Sequence, residues 1–172
     1  MILLMTEILE TDRLILRQFE LTDAKFIVEL VNSPGWIEFI GDRNIRTEEA
    51  ASNYLQNGPM KSYRENGFGL CMVELKDGTP IGMCGILRRD TLENPDIGFS
   101  FLPKFTGMGY AFEIANATIN YAKNRLNLKT ILAITVPNNK RSQHLLEKIG
   151  LMFIKTIYTS VDNEELMLYG TN

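Results

Sequence analysis

The sequence predicts one α/β (α+β) domain over residues 1–172, a mixed sheet with helices on both faces. Three observations carry that reading. A chain of 172 residues has the length of one domain and can bury roughly 70% of its unfolded surface. Strand-like and helix-like runs alternate along its whole length, with no linker, internal repeat or biased segment. And Asp77-Gly78 sits between two apolar runs, a strong signal for an antiparallel hairpin.

The elements follow in order. Thr11–Phe19 alternates, with Leu14 and Leu16 on one side and Arg13, Ile15 and Arg17 on the other, as a strand does. Thr22 stands as the N-cap of a helix with Asp23 in its first turn, and Phe26, Ile27, Leu30 and Val31 recur at helical spacing until Ser33-Pro34-Gly35 stops the run. Trp36–Ile45 has no decisive period. Thr47, followed by Glu48 and Glu49, starts a second helix that runs to about Leu55 or beyond. Phe68–Leu75 and Pro80–Leu87 are the arms of the hairpin. With Asp77-Gly78 as a two-residue loop, Leu75 faces Pro80, where the missing N–H does no harm, and Cys71 faces Cys84. That register leaves a cross-strand disulfide open, though nothing else in the chain points to an oxidising compartment. Asp96–Leu102 is the next strand. A helix from about Gly109 to Arg125 buries a stripe of Phe112, Ala115, Ile119, Ala122 and Leu126. Thr130–Val136 is apolar on both faces and reads as a central strand. Asn139 caps a short helix that ends at Ile149 with Gly150 just beyond it. Leu151–Tyr158 and Glu165–Tyr169 are the last strands, turned at Asp162-Asn163.

Composition narrows the function classes. The net charge is −3 and the pI about 5.3, which argues against a broad nucleic-acid-binding face. The longest apolar run, Met1–Met5, is too short to span a membrane, lacks a basic flank and is closed by Glu7, so it reads as neither anchor nor leader. Two Cys cannot build a disulfide framework, and with one His they make a catalytic metal site an unpromising reading. A reducing cytoplasm is the expected address.

The most informative segment is Phe99-Ser100-Phe101-Leu102-Pro103-Lys104-Phe105-Thr106-Gly107-Met108-Gly109-Tyr110-Ala111. A strand enters a loop with two glycines, and a helix leaves it. Gly107 and Gly109 let the backbone turn tightly and present successive N–H groups that end at a helix N-terminus, an arrangement that receives an anion. A Gly-rich turn without a ligand has the same pattern. A Walker A loop is excluded because Tyr110-Ala111 stands where Lys-Ser/Thr is needed, and a dinucleotide fingerprint because Phe112 stands where Gly or Ala is needed.

Together with the element order, this segment resembles the GNAT N-acetyltransferases, whose acyl-CoA loop reads Gln/Arg-x-x-Gly-x-Gly/Ala. Thr106-Gly107-Met108-Gly109-Tyr110-Ala111 occupies that pattern, with Thr106 in place of Gln or Arg. Thr11-Asp12-Arg13-Leu14-Ile15-Leu16-Arg17, Asp96-Ile97-Gly98-Phe99, and Asn139-Lys140-Arg141-Ser142 followed by Leu145–Gly150 resemble further blocks of its RimJ/RimL-like branch. The resemblance covers nearly the whole chain. It implies a mostly antiparallel sheet splayed between two strands, use of acetyl-CoA as cosubstrate without a metal, and transfer of acetyl to a primary amine by direct attack in a ternary complex. The amine would belong to a protein N-terminus or a small molecule, and the protein would act as a monomer or homodimer without nucleic-acid or membrane partners. A non-catalytic acyl-CoA-binding or partner-docking domain is the alternative.

By the same resemblance, the backbone of Phe101 and Leu102 pairs with the pantetheine arm, residues 106–111 cradle the pyrophosphate, and Asn139 bonds the CoA arm while also capping its helix. Gly98 either helps the strand bulge or is structural. The transfer itself asks for an aligned neutral amine, a polarised carbonyl and a proton for the leaving thiolate. Many GNAT enzymes place a Tyr to protonate the thiolate; Leu146 stands there, which leaves the Ser142 hydroxyl as the replacement. Asp96, then Glu93, are the candidate bases, directly or through water, and each also reads as a solvated carboxylate at a strand start. His144, beside Gln143 on a helix, reads as a surface residue. Trp36, Phe39 and Ile40 lie in the segment that shapes the acceptor pocket in the family. Lys140 and Arg141 are candidates for the 3′-phosphate of CoA.

Overall fold

Among residues 7–171, which this computed structural model describes, eight strands form one sheet. They are β1 (Glu7–Glu10), β2 (Leu14–Arg17), β3 (Leu70–Leu75), β4 (Pro80–Leu87), β5 (Asp96–Phe101), β6 (Leu132–Thr135), β7 (Met152–Tyr158) and β8 (Glu165–Gly170), in the spatial order β1-β2-β3-β4-β5-β6-β8-β7. The β5–β6 pair is parallel and the others are antiparallel. Six α-helices are described: α1 (Ala24–Val31), α2 (Pro34–Phe39), α3 (Glu48–Asn57), α4 (Pro59–Asn66), α5 (Tyr110–Asn124) and α6 (Lys140–Lys148). The Met1–Met5 run lies outside the described residues. No helix among those described is long and apolar enough to cross a membrane.

The sheet is a wall between two cores because its strand side chains alternate. Cys71, Val73, Cys84 and Ile97 point to one face, where Ile114, Ala115, Ile119 and Ala122 of α5 and Leu146 of α6 cover them. Met72, Met83 and Leu102 point to the other, under Ile27 and Leu30 of α1 and Ala51 and Leu55 of α3. Each buried Leu or Ile contributes on the order of 1.5–3 kcal/mol of transfer free energy. Helices therefore lie on both faces.

Several expectations are corrected. Thr22 does not cap α1. A 3-10 turn, Leu21–Asp23, comes first, and Glu20 and Asp23 close it as a reciprocal box in which Glu20 N donates to Asp23 Oδ2 at 2.8 Å. Pro34 ends α1 but also begins α2, because proline fits the first turn of a helix. Thr47 does cap α3, accepting from Ala50 N at 3.1 Å. In the hairpin the loop has three residues, Lys76-Asp77-Gly78. Leu75 N donates to Thr79 O at 2.9 Å, and Gly78 takes φ +87°. A bulge then shifts the register, from Glu74 opposite Pro80 to Val73 opposite Gly82, so that Cys71 still faces Cys84. Phe112 is half-exposed rather than buried, and Ile114 and Thr118 take inner places on α5 instead.

Cys71 and Cys84 are both free thiols, 4% and 0% exposed. Burial is the main cause that pushes each up to about 12. The native protein should therefore leave both unmodified by an aromatic disulfide reagent at pH 8, and expose both on denaturation. Labelling of either faster than global unfolding would contradict this packing.

Candidate active site

The parallel strands β5 and β6 meet at a single register point, Asp96 opposite Leu132, with Leu132 N donating to Pro95 O at 2.9 Å. Beyond that point they part. Each is held from outside, β5 by a continuous ladder with β4 and β6 by one with β8, so the inner edges separate without breaking those ladders. The ladders also decide which backbone groups face the gap. Leu102 N donates to Ile81 O at 2.9 Å, so Ser100 and Gly98 also turn their amides toward β4 and the alternate residues Phe99 and Phe101 turn theirs into the cleft. Thr171 N donates to Ile131 O at 2.9 Å, which turns Ile134 toward the cleft from the opposite wall. Phe99, Phe101 and Ile134 are half-buried and have no strand partner across the gap, since Asp96 opposite Leu132 is the one β5–β6 pair among the described residues, so an extended amide-bearing ligand suits this cleft.

Of the two residues expected to pair with that ligand, Phe101 presents its backbone to the cleft and Leu102 does not. Leu102 uses its amide on Ile81, and its carbonyl accepts from Phe105 N at 3.0 Å. Strand alternation puts Phe99 in its place.

At the mouth of the cleft a short 3-10 turn, Pro103–Phe105, leads to Thr106, whose hydroxyl donates to Pro103 O at 2.8 Å. Gly107 and Gly109 adopt φ +76° and +82°, and α5 begins at Tyr110. The first amide to reach back into the helix is Glu113 N, bonded to Gly109 O at 3.0 Å. The amides of Tyr110, Ala111 and Phe112 precede it and have no intrahelical acceptor. With the helix dipole behind them, these amides have the chemistry to receive an anion.

Arg13, which the sequence places only on the outer face of a strand, reaches this loop. Its Nη1 donates to Met108 O at 3.0 Å, its Nε pairs with Glu113 Oε2 at 2.7 Å, and its guanidinium lies 4.4 Å from the centroid of the Tyr110 ring. Nothing local in the sequence signals that contact.

On the other wall, Asn139 caps α6 by accepting from Ser142 N at 3.1 Å. Ser142 is half-buried in the first turn, while Lys140, Arg141 and His144 are exposed. Leu146 is buried, facing the core. At the closed end of the cleft Asp96 is 1% exposed, and Arg89 Nε lies 3.0 Å from both of its oxygens. Burial is the largest influence on its carboxyl and pushes it up to about 6, with Arg89 opposing. Glu93 is exposed on the loop between β4 and β5. Tyr54 of α3 has its phenol pushed up by burial, against the pull of Arg43 and Arg89. Trp36 packs into the core under α1 and α3; its indole Nε1 has no hydrogen-bond partner among the described residues. No group of three metal-ligating side chains occurs among those residues.

Comparison with known proteins bears on the family and the fold. The acetyltransferase (GNAT) domain family matches residues 13–152. The uncharacterized protein YkkB of Bacillus subtilis (strain 168) is 32% identical over 157 residues, 87% of each chain. The uncharacterized N-acetyltransferase YnaD of the same strain is 27% identical over 141 residues, 82% of this chain and 80% of its own. Among solved structures, RimL, a ribosomal L7/L12 alpha-N-protein acetyltransferase in complex with coenzyme A, superposes with a TM-score of 0.82 over 95% of this chain and 96% of its own, a likeness of fold at 13% identity.

Proposed function

Because the chain belongs to the GNAT acetyltransferase family and so is an acetyl-CoA-dependent acyltransferase, we propose that it carries the acetyl group to a primary amine by direct attack in a ternary complex. The observation that supports this most is the open edge of β5, where Phe99 and Phe101 turn their backbone into a cleft whose mouth is the cradle at Gly107–Phe112. The cradle would hold the pyrophosphate, with Thr106 and Met108 shaping its rim. The inner edge of β5 and Asn139 would hold the pantetheine arm, with its thioester toward the closed end.

The cysteines support direct attack, since Cys71 and Cys84 are buried in the core and burial keeps both thiols protonated, which disfavours either as a covalent nucleophile. Asp96, by way of a water, takes the proton of the incoming ammonium. With its carboxyl at about 6, an α-amine of pKa about 8 gives up its proton more readily than a lysine side chain of about 10.4. Glu93, exposed at the same end, is the second candidate. The hydroxyl of Ser142 supplies the proton to the departing thiolate, with Leu146 in place of a tyrosine.

The test is kinetic. Acetyl-CoA at about 100 times its dissociation constant should stabilise the protein by roughly 2.7 kcal/mol, and a panel of α-amines and small-molecule amines should release free thiol. Initial rates varied in both substrates should give intersecting double-reciprocal lines; parallel lines, the sign of a covalent enzyme intermediate, would overturn direct attack.

A further inference from the structure

The contacts of Arg13 form a set. Besides Met108 O and Glu113 Oε2, its own backbone N donates to Glu113 Oε1 at 3.0 Å, and Thr11 Oγ1 donates to that same oxygen at 2.6 Å. A Cβ at Gly109 would stand 3.2 Å from Arg13 Nη2. The turn before β2 is thus fastened to the first turn of α5, and the guanidinium sits against the diglycine loop on the side of the Met108 carbonyl.

That carbonyl belongs to the peptide unit that also carries Gly109 N–H. The unit is trans, so its C=O and N–H point in opposite directions. Fixing Met108 O on Arg13 therefore fixes Gly109 N–H on the side away from the guanidinium, at the residue that immediately precedes the free amides of Tyr110, Ala111 and Phe112. Left alone, this unit would turn easily, because glycine populates both signs of φ at similar cost. A cradle whose amides must be reoriented before the anion binds loses affinity to that ordering.

We propose that Arg13 is a positioning residue for the acyl-CoA cradle, holding the Met108–Gly109 peptide with its N–H toward the pyrophosphate. The inference rests on the reading of residues 106–111 as that cradle. The fork geometry matters as much as the charge. One guanidinium serves the carbonyl, the carboxylate and the face of Tyr110 at once, and a lysine ammonium cannot match that arrangement.

The experiment compares wild type, Arg13→Met and Arg13→Lys with two acetyl donors, acetyl-CoA and S-acetylpantetheine, which lacks the pyrophosphate. Loss of one charge-assisted hydrogen bond should raise the KM for acetyl-CoA about 10–100-fold in Arg13→Met, with kcat within about threefold. Arg13→Lys should show most of the same rise. With S-acetylpantetheine both variants should match wild type in kcat/KM. The ligand-free melting points should stay within about 3 °C, since an exposed ion pair adds little to stability. A wild-type KM in Arg13→Lys would overturn the proposal and make Arg13 a plain charge. An equal fall with both donors would also overturn it, by showing general damage to the site. A wild-type enzyme that acetyl-CoA fails to saturate would overturn the reading of the cradle itself, and that failure shows without any variant.

Discussion

Asp96→Asn is expected to lower kcat/KM by about 100-fold or more while leaving the melting point where it is or raising it. The rate loss is that of a positioned proton acceptor. The stability side follows from the sign of the shift. Burial holds the carboxyl of Asp96 at about 6, well above its ordinary 3.8. The folded chain therefore binds this proton more tightly than the unfolded one. Its stability contribution is most favourable below about pH 4 and declines as pH rises toward 6, and above that the buried anion is a standing cost. Asparagine removes that cost and gives up the attraction of Arg89, 3.0 Å from both oxygens; the two changes offset. A residue that weakens the fold at working pH yet can take a proton there is characteristic of active sites. In wild type, kcat/KM should rise with pH through about 6 as Asp96 ionises, and the variant should lose that limb. Wild-type activity with the limb intact in Asp96→Asn would make the residue structural.

What the sequence made legible was local. The cap at Thr47, the cap at Asn139 with Gly150 beyond its helix, and the two glycines before α5 involve residues a few positions apart, where residue type and spacing decide the conformation. The hairpin shows the limit. Asp77-Gly78 announces a turn, but whether its loop has two residues or three depends on the bulge beyond Glu74, which residue types alone do not encode. The backbone orientation of Leu102 shows the same limit. Which backbone groups face the cleft is set by the bond from Leu102 N to Ile81 O, a long-range register choice. β1 is a four-residue strand defined by its pairing with β2. Arg13 and its contact on Met108 are 95 positions apart, and either residue alone looks like ordinary surface. Contacts between residues far apart in sequence, such as Arg13 on Met108, came only with the tertiary structure, whereas the backbone conformation of the diglycine turn was visible beforehand.

Arg17→Ala should be the most destabilising single change in the polar framework, by about 3–5 kcal/mol, or roughly 10 °C of melting temperature at this size. Arg17 stands on β2 and forks onto both oxygens of Asp23 at 2.9 Å, while its Nε reaches Glu74 Oε2 of β3 at 3.2 Å. All three side chains are nearly buried, at 12%, 10% and 7% exposure. The hydrogen bonds to Asp23 lead the causes that push Arg17 above its already high ordinary value, so it stays charged at every working pH. Removing it strands two carboxylates away from water with no cation between them. It also loosens Asp23, which closes the turn that launches α1. Through α1 the loss reaches Trp36, which packs in the same core. The cost comes from stranded charge rather than from a missing contact, so discharging the whole network should restore most of it. Arg17→Met combined with Asp23→Asn and Glu74→Gln keeps the volume and the cap while removing every charge, and should melt well above Arg17→Ala. A single variant that melts within 3 °C of wild type would show that water reaches these carboxylates and that the three residues do not act as a buried unit.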